Sequence, residues 1–177
     1  MNAELFKAIL AMDSYNRTYG QGINLGDGSD ANGTEIGTAT ISGKKGDAEA
    51  KAAGFYAIAY NWAGGTVISY RGTDVPMSQD IINGWVAGAG AMSFPQTKLA
   101  ADFFKTVIGT TNPKLAADVE FTGHSLGGGL AGLMASLYGS HSATIFDNMP
   151  FEQVGLNISR LTASAADIAL YNKYYFN

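Results

Sequence analysis

Gly123-His124-Ser125-Leu126-Gly127 lies where an apolar run, Asp118 to Thr122, gives way to a small-residue helical pattern, Gly128 to Tyr138. A serine between two glycines at such a junction reads as a nucleophile elbow. The turn is sharp, and a Cβ at either glycine would collide with neighbouring backbone. The serine hydroxyl is pushed outward at the positive end of a helix, whose free N–H groups can hold an oxyanion. The chemistry implied is acyl transfer through a covalent serine. Ser125 alone could equally be a helix N-cap, so the reading rests on the strand before it and the helix after it.

The elements that must position this turn can be traced from the N-terminus. Leu5, Phe6, Ile9, Leu10 and Met12 follow helical spacing, and the pattern dissolves near Asn16-Arg17-Thr18. Gly20 to Gly33, rich in Gly, Asn and Asp, is a long loop. Thr34 to Ile41 reads as a strand. Phe55 to Trp62 and Thr66 to Tyr70 are β-rich runs joined by Ala63-Gly64-Gly65, predicting an antiparallel hairpin at the edge of a sheet. Val75 to Phe94 is irregular, with isolated large apolar residues. Leu99, Phe103 and Val107 repeat every four residues behind Pro95, predicting a helix over 95–108. A short apolar run, Ala143 to Phe146, ends in Asp147. Helix alternating with strand predicts α/β, with crossover helices between parallel strands.

Composition narrows the function classes. The 177 residues form one domain by length. Net charge is −4 and no basic run exceeds Lys44-Lys45, which argues against nucleic acid or an anionic membrane surface as partner. There is no cysteine, so thiolate catalysis and disulfides are excluded. Met1 to Lys7 lacks the layout of a signal peptide, and no stretch approaches the ~18 apolar residues of a membrane span. Export would need another signal, and the compartment is not assigned. A rival reading exists for the glycines. Gly127, Gly129 and Gly132 fit G-x-G-x-x-G, and Asp147 falls at the offset of a ribose-binding acid. Only 50 residues follow Gly127, however, too few for the rest of a dinucleotide domain, and no Tyr-x-x-x-Lys pair occurs.

A second motif adds specificity. The strand Val67 to Tyr70 ends in Arg71-Gly72-Thr73, some fifty residues before Gly-His-Ser-Leu-Gly-Gly, and the pair in this order resembles the class 3 lipases. The similarity covers about Gly54 to Phe151. Met12 to Asn16 and Ile145 to Pro150 resemble bacterial relatives of that group more loosely. The resemblance implies an α/β-hydrolase-like, mostly parallel sheet flanked by helices, with an antiparallel hairpin at the N-terminal side. It implies oxyanion donors at the N–H groups of Thr73 and Leu126, and a role for Trp85 like that of the family's tryptophan. No metal or cofactor is called for. Ile81, Ile82, Trp85, Met92 and Phe94 read first as core and, in the lipase reading, as a lid or acyl-chain wall. The substrate class is an acyl lipid, either acylglycerol or phospholipid, or another acyl ester.

Two features depart from the family. Phe146 is followed by Asp147 where Gly-x-Pro is usual, and no histidine follows His141. Asp147, 22 residues after Ser125, is the acid candidate, since some esterases and lipases place the acid at that strand. It is also a natural turn former, and Asp167 or an acid beyond residue 177 are alternatives. His124 projects oppositely from Ser125, and the elbow helix carries His141 roughly 15–20 Å away at 1.5 Å per residue. The sequence is therefore expected to stop before its base, as a domain incomplete at its C-terminal side. A non-hydrolytic alternative is a fragment or degenerate hydrolase domain that binds acyl ligands or a partner chain. Leu161, Ala165, Ile168 and Tyr171 form a helical stripe beside Tyr174, Tyr175 and Phe176. Self-association through this helix or the sheet edge is expected.

Overall fold

In the chain's computed structural model the described residues are 1–18, 23, 33–72, 94–109, 119–138 and 142–148. Asn2 opens the first helix, α1 (Ala3–Thr18), by accepting the Glu4 N–H on its side-chain oxygen at 2.9 Å. Then come β1 (Glu35–Ile36), β2 (Ala39–Lys45), the single-turn helix α2 (Ala48–Ala52), β3 (Ala57–Trp62) and β4 (Gly65–Tyr70). Asp47 caps α2, its Oδ1 accepting the Ala50 N–H at 3.0 Å. The second half holds α3 (Phe94–Ile108), β5 (Val119–His124), α4 (Leu126–Tyr138) and β6 (Ala143–Phe146). Pro95 sits in the first turn of α3, and Gly109 ends it at φ +72°, a conformation glycine adopts without steric cost.

One six-stranded sheet runs β1-β2-β3-β4-β5-β6. The pairings β1–β2, β2–β3 and β3–β4 are antiparallel; β4–β5 and β5–β6 are parallel. The expected mostly parallel sheet is thus corrected to a mixed one. Parallel pairing needs a crossover of about a dozen residues or more, whereas β1–β2 and β3–β4 are joined by two-residue turns. The expected hairpin β3–β4 forms, with Ala63 and Gly64 both at positive φ in the two-residue turn that matches strand twist. It is central, not at the edge. The reason is that 34–41 holds not one strand but the Gly37-Thr38 turn of another hairpin, whose second arm continues to Lys45 and pairs with β3.

Strand alternation divides the core into two layers. Tyr56, Ile58, Tyr60 and Val67 face α1, packing with Phe6, Leu10, Ile36 and Ala39. Ala57, Ala59, Ile68, Tyr70 and Phe121 face the other way, toward α2, α3 and α4. Aromatic rings run through this second layer, Phe55 to Tyr70 to Phe121 to Phe104 to Tyr138, with successive centroids 6.2, 6.1, 5.5 and 4.5 Å apart. Burial holds the Tyr70 hydroxyl well above the usual tyrosine range, and it donates to the Ala100 carbonyl at 3.2 Å.

The α1 layer departs from the expected apolar face. Leu5 and Met12 are exposed, 56% and 48%, while Asp13 and Arg17 are buried. The buried stripe is Phe6, Leu10, Asp13-Ser14 and Arg17, the spacing a 3.6-residue period demands. Arg17 Nε is paired with Asp13 Oδ2, which also accepts the Tyr60 hydroxyl at 2.7 Å; Asp13 Oδ1 accepts the Ile23 N–H at 2.8 Å. Arg17 further donates to the Gly33 and Glu35 carbonyls at 3.0 and 3.1 Å. Burial, reinforced by the Asp13 charge, pushes the Tyr60 hydroxyl well above its ordinary range, so it remains a donor. Replacing Asp13 by Ala should lower the unfolding free energy by about 3–5 kcal/mol, because Arg17 would stay buried without its anion. Tyr60→Phe should cost about 1.5–3 kcal/mol, one hydrogen bond to a charged group. Urea unfolding measures both, and equal losses would contradict the ion pair as the dominant element.

Candidate active site

Ser125 stands between the last residue of β5 and the first of α4, half-buried, at φ +56°. A non-glycine residue in the left-handed region costs about 1–2 kcal/mol, and two backbone bonds hold it there. Its N–H donates to the Phe146 carbonyl at 3.0 Å, and its carbonyl accepts the Gly129 N–H at 3.1 Å. The flanking glycines are demanded by close approach. A Cβ on Gly123 would lie 2.3 Å from the Gly127 carbonyl oxygen, and one on Gly127 would lie 2.1 Å from the Tyr70 oxygen and 2.8 Å from the Gly72 nitrogen. The N-terminus of α4 therefore presses directly on the end of β4. Leu126, 1% exposed, opens that helix with its side chain in the core.

The parallel register sets the remaining neighbours. Tyr70 pairs with Gly123 and His124 with Phe146, so the strand ends of β4, β5 and β6 meet at one carboxyl edge. Asp147 follows Phe146 as Ser125 follows His124, on strands about 4.8 Å apart. Asp147 is exposed, at φ +45°, a region aspartate tolerates. The next residue, Asn148, rests on Gly128, where a Cβ would come within 2.9 Å of the Asn148 Cβ. The Ser125 backbone is thus hydrogen-bonded to the peptide that joins Phe146 to Asp147.

Thr73, Ile81, Ile82, Trp85 and Met92, as well as Asp167, His141 and the stripe from Leu161, lie outside the described residues, as does the side chain of Phe94. Gly72, the last described residue before Thr73, lies beside Gly127 and His124. Arg71 is buried with its guanidinium 5.6 Å from the Tyr56 ring centroid, a structural contact.

His124 faces α1, on the opposite side of the sheet from α4. Its Nδ1 lies 3.1 Å from the Tyr15 hydroxyl, which is also 3.3 Å from the His124 carbonyl and accepts the Gly72 N–H at 3.1 Å. The sequence had His124 projecting oppositely from Ser125, as it does, but did not point to Tyr15, whose only signal was its place on the first helix. Thr122, on the same face, donates to the Thr144 carbonyl at 2.8 Å and ties β5 to β6. No cluster of His, Asp and Glu suited to a metal ion occurs among the described residues. No helix among them is long and apolar enough to cross a membrane.

This strand-to-helix turn lies at the carboxyl edge of a sheet covered by helices on both faces. The chain matches the family model of the Tle-like phospholipase domain over residues 7–169 and belongs to that phospholipase-like family. No curated protein and no solved structure matches it. The dinucleotide reading of the glycines is set aside, since the packing around Gly123 and Gly127 and the family both account for them.

The glycine contacts make a graded prediction. Gly127→Ala should destabilise the fold by about 3 kcal/mol or more, because the obstructing atoms are backbone. Gly64→Ala, with nothing within 4 Å and only φ +82° to penalise it, should cost about 1 kcal/mol. Thermal unfolding of the two variants checks the order, and equal losses would refute the close approach.

Proposed function

We propose that the chain is a serine carboxylic ester hydrolase of acyl lipids, phospholipids in the first place, working through an acyl-enzyme on Ser125. The single observation that carries this is Ser125 held at φ +56° between glycines whose Cβ positions are filled by backbone. The phospholipase-like family supports the lipid ester as substrate class, and the Arg71-Gly72-Thr73 motif supports an arrangement like that of class 3 lipases on an α/β-hydrolase-like sheet.

In this reading the Ser125 Oγ attacks the ester carbonyl carbon as its proton passes to a general base. The tetrahedral oxyanion is held by the N–H groups of Leu126 and Thr73. The carbonyl re-forms, the C–O bond to the alcohol breaks, and the alcohol leaves with the base's proton. Water then cleaves the acyl-enzyme by the same steps. Asp147, at the neighbouring strand end, is the proposed acid. Trp85, Ile81, Ile82, Met92 and Phe94 are proposed to wall the acyl chain. His124 is not the base, being engaged by Tyr15 on the far face. That engagement also favours a second reading, a degenerate hydrolase domain that binds acyl ligands without turnover.

Hydrolysis of a short p-nitrophenyl ester and of a phospholipid, each with imidazole added as the base and each compared with Ser125→Ala, separates the two. Ser125-dependent turnover is expected, and rates equal to those of Ser125→Ala would leave only the binding reading. An organophosphonate should label Ser125 slowly in the 177-residue chain and about 100-fold faster with added imidazole, the scale of general-base catalysis. Rapid stoichiometric labelling without imidazole would show that a base is already in place. Thr73→Val should lower turnover more than Thr73→Ser, by up to the ~2.7–4 kcal/mol of one oxyanion donor. Equal rates would confine Thr73 to its backbone.

A further inference from the structure

We propose that Tyr15, on the first helix, is a positioning residue for the oxyanion side of the site, acting through the peptide of Gly72. The inference rests on the hydrolase reading above, since it concerns the strand end that leads into Thr73. Three groups converge on one hydroxyl. The Gly72 N–H donates to Tyr15 Oη at 3.1 Å, and His124 presents Nδ1 at 3.1 Å and its carbonyl at 3.3 Å. With Gly72 occupying a lone pair, the single hydroxyl proton serves His124. Nδ1 accepts it when the imidazole is neutral and protonated on Nε2. The ring of His124 also meets the Tyr15 ring edge-on, centroids 6.0 Å apart.

The geometry explains why such a tie is needed. Residue 72 has to be glycine, because a Cβ there would lie 2.2 Å from Tyr15 Oη and 2.8 Å from the His124 carbonyl oxygen. Glycine is also the residue with the widest choice of ψ, and ψ of Gly72 sets the plane of the next peptide. The N–H of that peptide belongs to Thr73. A bond to the Gly72 N–H fixes the near side of this swivel, and the His124 contact fixes Tyr15 relative to the residue immediately before Ser125. One hydroxyl thereby references both halves of the proposed oxyanion hole, the β4 end and the elbow, to the same point.

The test uses Tyr15→Phe, which keeps the ring and removes only the hydroxyl, with His124→Asn and His124→Phe as a second pair. Asn can present a polar atom near the Nδ1 position and Phe cannot. Amide exchange of Gly72, followed by NMR, reads the tie without any activity. It should be at least about 10-fold faster in Tyr15→Phe while exchange of the central β3 and β4 amides is kept. Ser125-dependent p-nitrophenyl ester hydrolysis, with imidazole present, should fall about 10-fold in kcat with KM little changed, and His124→Asn should retain more of kcat than His124→Phe. Unchanged Gly72 exchange overturns the proposal, as does unchanged kcat where the wild type shows Ser125-dependent turnover. A fall in KM and kcat together with general loss of protection would reduce Tyr15 to a stability role and also overturn it. A wild type with no Ser125-dependent turnover overturns the hydrolase reading itself, and is distinguishable because Gly72 exchange still responds to Tyr15→Phe.

Discussion

The approach of the α4 N-terminus to the end of β4 is the constraint around which the other parts are arranged. At Gly127 a single added carbon would sit 2.1 Å from the Tyr70 carbonyl oxygen, so the helix and the strand end are separated by no side chain at all. That contact requires β4 and β5 to be parallel neighbours, with α3 long enough to carry the chain back across the sheet. It also forces the chain between β5 and α4 to reverse in one residue, and Ser125 takes the left-handed conformation that this reversal needs. Strain at such a position persists only where surrounding structure over-determines it. Here the Phe146 carbonyl, the Gly129 amide and two obligatory glycines do so.

The two faces of the sheet do different work. Behind the elbow, α3 and α4 close an apolar layer whose aromatic chain passes from Phe55 to Tyr138, and dispersion and burial hold it. Under α1 the layer is mixed. The buried Asp13–Arg17 pair secures Ile23, Gly33, Glu35 and Tyr60, fastening the ends of the glycine-rich loop and the first strand to the helix. Next in the chain after Asp13-Ser14, Tyr15 contacts the strand ends at the carboxyl edge. The helix is thus anchored by charge in its second half and reaches the site from the same segment.

Periodicity and punctuation made the local elements legible, because both act within a few residues. The elbow, the Ala63-Gly64 turn, the helix begun by Pro95 and the strand ending at Phe146 are written in Gly, Pro and apolar spacing, and each occurs within two residues of where that spacing puts it. The sheet's mixed character was less legible. Thr34 to Ile41 carries no strong turn dipeptide, so a hairpin read as one strand, and the central hairpin was displaced to an edge. The apolar residues of α1 likewise suggested a face that included Leu5 and Met12, whereas the buried stripe includes Asp13 and Arg17. A charge is buried only when a partner is present, and Tyr60 lies 47 positions away.

By itself, then, the sequence determined the chemistry on offer: a serine on a strand-to-helix turn, glycines where no Cβ fits, and an Arg-Gly-Thr strand end ahead of them. Those features depend on local sterics, and local sterics are carried by residue type. Tertiary structure alone decided which distant groups serve that turn. Tyr15 and Gly72 are 57 residues apart and Tyr15 and His124 are 109 apart, yet all three meet at one oxygen atom. Asp147 comes beside Ser125 only through the register of β5 on β6. Such meetings follow from how layers stack and strands align, a property of the whole packed chain, and no spacing within a single segment encodes it.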